Sequence, residues 1–173
     1  NTEDHKREVR LKVQRDPAGG FLLPATSLVG GLREHLGFVD GNHWLGARQG
    51  KDHTIPSELR CLAATVHDPE ARIMTTTAID ADRRAALGGQ LRREEVLSPV
   101  LVTWWLEWDH HDSDLELSHL IGSLRTWRPI VGRRRSANRG RAHVERVYHL
   151  TVDLSTEEGL TWWLAERPRL AWT

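Results

Sequence analysis

Apolar residues recur along this chain with two periods, and the switches between them outline its elements. Residues 1–20 are polar and close on Arg15-Asp-Pro-Ala-Gly-Gly20, a turn signal ahead of a short apolar run at 21–23. From Pro24 the period lengthens. Leu28, Val29, Leu32 and Leu36 fall at helical spacing, Thr26 or Ser27 can cap the start, and Gly37 can end the helix. Residues 38–56 carry neither period, are rich in Gly, Asp, Asn and His, and read as a long loop. Segments 58–66 and 73–79 are predicted strands, the second through its Thr75-Thr76-Thr77 run of β-branched residues, and a charged, glycine-containing excursion over 80–91 fits a projecting hairpin or loop. The clearest strand lies within 95–108, where Val100, Val102, Trp104, Leu106 and Trp108 share one face. A polar turn, Asp109-His110-His111-Asp112, leads to a second amphipathic helix on Leu115, Leu120, Ile121 and Leu124. An arginine-rich loop follows. Residues 142–154 then alternate as a strand with Tyr148, Leu150, Val152 and Leu154 on one side. Ser155-Thr156-Glu157-Glu158 is a capping box, which predicts a last short helix through Leu164, before Pro168. Helices and strands mixed in this way define an α+β chain.

Composition narrows the class. With 173 residues and 39% hydrophobic content the chain can bury a sizeable core as one domain or two small ones. The single cysteine, Cys61, excludes an internal disulfide framework; set in Leu59-Arg-Cys-Leu-Ala-Ala-Thr-Val66 it reads as a small buried hydrophobe in a reducing compartment. No apolar run approaches a membrane span and no basic-then-apolar leader opens the sequence, so the expectation is a cytoplasmic chain that does not engage a membrane. It opens at Asn1 without a methionine, and a first strand is expected to be missing upstream. Most of the eight tryptophans sit in apolar patterns, which suits core or interface better than base stacking.

Charge is what changes the picture. The formal total is zero, yet 125–147 holds eight arginines (125, 128, 133, 134, 135, 139, 141 and 146) against one acid, Glu145. Arginine clusters hold phosphates by bidentate hydrogen bonds and counterion release, and Gly132 and Gly140 let backbone N–H groups approach an anion closely. The start of the first helix, with Ser27 at its mouth and Arg33 a little farther along, is a second anion-friendly place. Nucleic acid is the leading partner; a solvated turn is the plain alternative.

The order helix, strands, projecting segment, long strand, helix, glycine/arginine loop and strand resembles the RAMP superfamily of CRISPR-associated proteins. Phe21-Leu-Leu-Pro-Ala-Thr-Ser-Leu-Val-Gly-Gly-Leu-Arg33 looks like that family's Ile-Pro-Gly-Ser-Ser-Leu-Lys-Gly-x-Leu-Arg element. Ser57-Glu-Leu-Arg60, Thr77-Ala-Ile-Asp80 and Glu94-Glu-Val-Leu97 resemble successive landmarks of type III backbone subunits, and Ile130-Val-Gly132 through Arg139-Gly140-Arg-Ala-His-Val144 looks like the glycine-rich loop. The likeness covers about 13–150. It implies one RAMP domain over 1–173 with a ferredoxin-like (RRM-like) core, a thumb at 73–96 and a glycine/arginine loop at 125–141.

By resemblance, such a subunit stacks along a guide RNA (crRNA) in a type III (Csm/Cmr-like) effector, beside other effector subunits, and shapes the pairing with target RNA. Ser27, Arg33, Gly132, Arg133, Arg134, Arg135, Asn138, Arg139 and Gly140 inherit the contacts to the guide backbone; sequence reading is left to base pairing. Two departures stand out: Ala25 replaces the motif's glycine, and Val29 the usual lysine. Target-cleaving relatives carry an aspartate ahead of the first helix, where this chain has Arg10, Leu11 and Lys12, so Asp4 is the acid left for that role. A divalent metal such as Mg would enter only with cleavage; no other cofactor or metal is expected. Asp109-His110-His111-Asp112 has metal-ligand residue types but no second cluster at zinc spacing. Asp52-His53 offers an acid/base pair for a guide-processing endonuclease, or simply a solvated loop. Three readings therefore stand: a guide-RNA backbone subunit, a RAMP endoribonuclease, and a protein-interaction module built on tryptophan and arginine.

Overall fold

A computed structural model of the chain describes residues 12–49, 53–79, 86–109, 114–132 and 140–172. It is a mixed α+β protein in the order α1 (Ala25–Leu45), β1 (Ala47–Gln49), β2 (His53–Ile55), β3 (Leu59–His67), β4 (Ala71–Ile79), β5 (Ala86–Leu97), β6 (Leu101–Trp108), α2 (Asp114–Thr126) and α3 (Glu157–Trp172). Strands pair two by two, β1 with β2, β3 with β6 and β4 with β5. The chain divides into two compact units, one formed by Asn1–Leu22 with Thr65–Thr103 and the other by Leu23–Ala64 with Trp104–Thr173.

The second unit holds the apolar core. Leu28, Leu32, Trp44, Leu45, Leu59, Ala64, Leu120 and Trp127 are all buried, drawn from α1, β3, α2 and the turn after α2. Gly37 does end a helix, at φ 76°, ψ −171°, yet the chain re-enters helical geometry beyond it, so the expected loop at 38–56 is in fact a second helical segment followed by the β1–β2 hairpin. The reason is tertiary. Trp44 and Leu45 are buried, and Arg33 donates to the carbonyl of Gly41 (3.1 Å) and to that of Leu45 (2.7 Å), the latter left without an internal partner by the helix end. On β6 the two-residue period survives only in part: Leu101 and Trp105 are exposed, but Thr103 and Glu107, on the same side, are half-buried like Val102, Trp104, Leu106 and Trp108. Trp104 donates its indole N–H to the Leu62 carbonyl of β3 at 2.8 Å.

Two expectations near the C-terminus are corrected. Residues 142–153 have no ladder partner among the described residues and carry no strand there, and Tyr148 and Leu150 are 80% and 66% exposed. Alternation gives a segment the surface of a strand, but a strand exists only where another backbone lies beside it. Helix α3 is also longer than predicted and passes through Pro168 to Trp172. Its cap is Thr156, whose hydroxyl accepts the Gly159 N–H at 3.0 Å, so the capping arrangement sits one residue later than the Ser155 box.

The first unit rests on a ladder. β4 and β5 pair antiparallel from Ala71↔Leu97 through Thr77↔Leu91, with a register shift before Ile79↔Ala86. The Asp16–Gly20 turn is closed by Gly20 N–H donating to the Asp16 carboxylate (2.8 Å), and Arg15 reaches from it to Glu95 of β5 at 2.6 Å. Glu95 also accepts the Val13 N–H at 3.0 Å.

Candidate functional site

The glycine/arginine loop leaves the second unit through a narrow base. Val131 N–H donates to the Gly140 carbonyl (2.8 Å) and Ala142 N–H to the Pro129 carbonyl (2.9 Å), around an isolated bridge between Ile130 and Arg141. Both glycines have positive φ, 99° at Gly132 and 70° at Gly140, in the region that side chains rarely adopt. They differ in surroundings. A Cβ on Gly132 would meet open space, whereas one on Gly140 would fall on the Val131 carbonyl oxygen. Gly140 is thus fixed by close backbone approach as well as by its torsion angle.

Trp127 ties this base to α1. Its side chain is 4% exposed, its indole N–H donates to the Gly31 carbonyl at 3.3 Å, and its ring lies 5.6 Å from that of Trp104. Gly31 faces the ring so closely that a Cβ there would stand 3.6 Å from it. One turn before Gly31 is Ser27, exposed in the first turn of α1. That helix start has Pro24 as its N-cap, no side-chain cap and no acid in its first turn, so among the described residues nothing answers the positive end of the helix dipole at Ala25 and Thr26. Residues Leu22–Leu23 aim the helix, because Leu23 pairs with Ala64 of β3.

Of the residues singled out from the sequence, Ser27, Gly132 and Gly140 therefore lie on elements that Trp127 joins. Arg33 is on the same helix but points inward, its guanidinium holding the carbonyls of Gly41 and Leu45 and reaching Asn42 Oδ1 at 3.4 Å. Asp4, Arg133, Arg134, Arg135, Asn138 and Arg139 lie outside the described residues, as do Asp52 and residues 110–112. Around the loop base Arg125, Arg128, Arg141 and Arg146 are all exposed. Arg125 and Arg146 line a shallow concavity with Val144, Glu145, Val147 and Tyr148. Arg146 donates to the Tyr148 hydroxyl at 3.2 Å, a contact that holds its pKa further above the ordinary guanidinium range.

The sequence patterns do not single out Trp127, and they give Tyr148 only as one residue on a face of the expected 142–154 strand. For Trp127 the signal is its place between a helical face and Pro129, where a large apolar side chain has to turn back onto the helix. Tyr148 is the only tyrosine of the chain, and its exposure shows only once its segment is seen to have no ladder partner among the described residues.

Elsewhere the titratable groups form clasps. His43 lies 3.3 Å from Glu58 and 4.0 Å from Glu116, and His119 lies 3.5 Å from Asp40, a reciprocal pairing of α1 and α2. Trp44 separates the two imidazoles, in ring contact with both. Burial pushes the Cys61 thiol up to about 11, which keeps it protonated and unreactive at neutral pH. Among the described residues no group of three or more His, Cys, Asp and Glu side chains is arranged to hold a metal ion, and no helix is long and apolar enough to cross a membrane. Comparison with protein-family models finds no match, and comparison with curated proteins finds none either.

Proposed function

We propose that this chain binds guide RNA as a backbone subunit, or as one RAMP domain, of a type III CRISPR effector, with a ferredoxin-like core around β3 and β6 and a thumb within the β4–β5 hairpin. The observation that carries the reading is the anchored loop. An arginine-rich segment leaves a base that only glycine can close at Gly140, and Trp127 holds that base to the helix whose first turn is uncapped. Loop guanidinium groups and free helix N–H groups are the two protein donors best suited to phosphates. Recognition of this kind reads charge and backbone shape, leaving sequence to pairing between guide and target RNA. Within it Ser27 and the loop residues, Arg133, Arg134, Arg135, Asn138 and Arg139, contact phosphates, whereas Arg33 supports the helix that presents them. The motif order Phe21–Arg33, Ser57–Arg60, Glu94–Leu97 and Ile130–Val144 adds the resemblance to type III backbone subunits. Cleavage is no part of the proposal.

The test is binding of a guide-length single-stranded RNA across a salt series, for the unaltered chain and for Arg133→Ala/Arg134→Ala/Arg135→Ala. Affinity is expected to fall steeply with salt, and the variant's slope of log affinity against log salt should be smaller by about 2 if all three arginines meet phosphates. Weak binding with the same slope in both proteins would overturn the reading and favour a protein-facing surface.

A further inference from the structure

Tyr148 is an aromatic side chain whose surroundings suit neither core nor sheet. It is 80% exposed, and its segment, 142–153, has no ladder partner among the described residues. In an extended segment residues two apart lie on one side, which is how Arg146 reaches the phenol. The Arg146 guanidinium meets the hydroxyl edge at 3.2 Å, so a cation stands at one end of the exposed ring and not over it. Arg125, from the end of α2, lines the same concavity, and Val144 and Val147 supply an apolar floor. The segment begins at Ala142, the residue whose N–H closes the base of the arginine loop.

We propose that Tyr148, flanked by Arg146 and Arg125, is a stacking site for one unpaired nucleobase of an RNA whose phosphates run over the adjacent arginine loop. The site rests on the function proposed above and deepens it, because it specifies single-stranded RNA with a splayed base in place of a duplex. Stacking needs a free π-face on the protein and a base released from its neighbours, and it tolerates any of the four bases. The surrounding cations favour a nucleotide over an apolar protein segment: Arg125, Arg128, Arg141 and Arg146 are exposed, and Glu145, the one acid, lies 3.9 Å from His143.

The experiment uses the full chain and guide-length single-stranded RNAs that carry 2-aminopurine at successive positions. One position is expected to change its fluorescence on binding, and an abasic site there should weaken binding about thirtyfold, the middle of the range for one stacked base. Tyr148→Ala should abolish the fluorescence change and lose a similar factor while keeping the wild-type salt slope, since the ring neutralises no phosphate. Tyr148→Phe, which keeps the ring and loses the Arg146 contact, should retain the fluorescence change. If the chain binds RNA with a steep salt slope and Tyr148→Ala alters neither fluorescence nor affinity, the stacking site is wrong and the guide-RNA reading survives. Should Tyr148→Ala keep full RNA affinity but change the chain's sedimentation, the ring belongs to a protein contact. Absence of any salt-dependent RNA affinity in the unaltered chain overturns both.

Discussion

The two units are stabilised by different physics. In the unit of Leu23–Ala64 and Trp104–Thr173, eight apolar side chains are buried and Leu32 is fully so. In the unit of Asn1–Leu22 and Thr65–Thr103, the buried side chain among the described residues is a carboxylate, Glu94, while Ile73 and Met74 of β4 are 58% and 41% exposed. That unit is ordered by backbone pairing and by ion pairs such as Arg15–Glu95, whose guanidinium also lies 3.9 Å over the Phe21 ring. Apolar burial carries no charge to be screened and survives small pH changes; exposed ion pairs are screened. The cored unit is therefore the one suited to hold an anion-binding loop rigid, because the ligand it would bind is itself a source of ionic competition.

The largest effect should come from breaking the core. Leu32→Ala removes a side chain with 0% exposure and is expected to destabilise the protein by about 2–5 kcal/mol, against under about 0.5 kcal/mol for Ile73→Ala on the exposed hairpin. Urea denaturation of the two variants measures the contrast. Equal losses would mean that the hairpin is covered by something that the core argument omits.

Next in size is the loop base. Gly140→Ala places a Cβ on the Val131 carbonyl and forces alanine to φ 70°, which should cost about 1–3 kcal/mol and expose the Val131 N–H to solvent exchange. Gly132→Ala carries only the torsional strain, since its Cβ position is open, and should cost less. Hydrogen exchange at Val131, compared between the variants, separates close approach from torsion.

How much of this was legible beforehand follows from where each element gets its stability. The first segment of α1, β3, β4 and α2 lie close to their predicted positions because their periodicity is local and their apolar faces are the ones buried. The second segment of α1 reads as loop because Phe38-Val-Asp-Gly-Asn-His-Trp-Leu45 has no helical face; its helicity comes from the burial of Trp44 and from Arg33, eight residues before Gly41, which no window of local pattern contains. Residues 142–153 failed in the opposite sense. Their alternation was clear, but a ladder is a property of two segments, and pattern in one does not supply the other. At the site, the glycines and arginines were legible from composition, whereas the anchor, Trp127 on Gly31, spans 96 positions and required the fold.

A smaller effect sharpens the ionic side of the comparison. Glu95→Ala removes the acceptor of both Arg15 and the Val13 N–H, and should cost about 1 kcal/mol, because Arg15 is partly exposed and much of the charge interaction is lost to solvent. Exchange should rise along 12–22 and leave the α1 core unchanged. Spread of the effect to Leu28 and Leu32 would show the two units to be energetically one.

The smallest expected effect distinguishes the units by salt. Glu70, in the laddered unit, has its carboxyl pKa lowered chiefly by the hydrogen bond from Arg72, with the Arg72 charge and the Ser98 hydroxyl adding to it. Asp153, in the cored unit, is lowered by hydrogen bonds from the Ser155 hydroxyl and N–H. For both, the folded pKa lies below the unfolded one, so each contributes stability that is present above the ordinary carboxylate range of about 4 and is lost as pH falls through the folded value. The causes differ in their response to ions. A charged partner is screened and a neutral one is not, so added salt should move the Glu70 titration towards its ordinary value and leave that of Asp153 in place. Carboxylate NMR titrations at low and high salt measure this directly, with Ser155→Ala as the control that moves only Asp153. If both titrations shift with salt, the Asp153 effect is not hydrogen bonding, and the N-terminal turn of α3 depends on charge as the hairpin does.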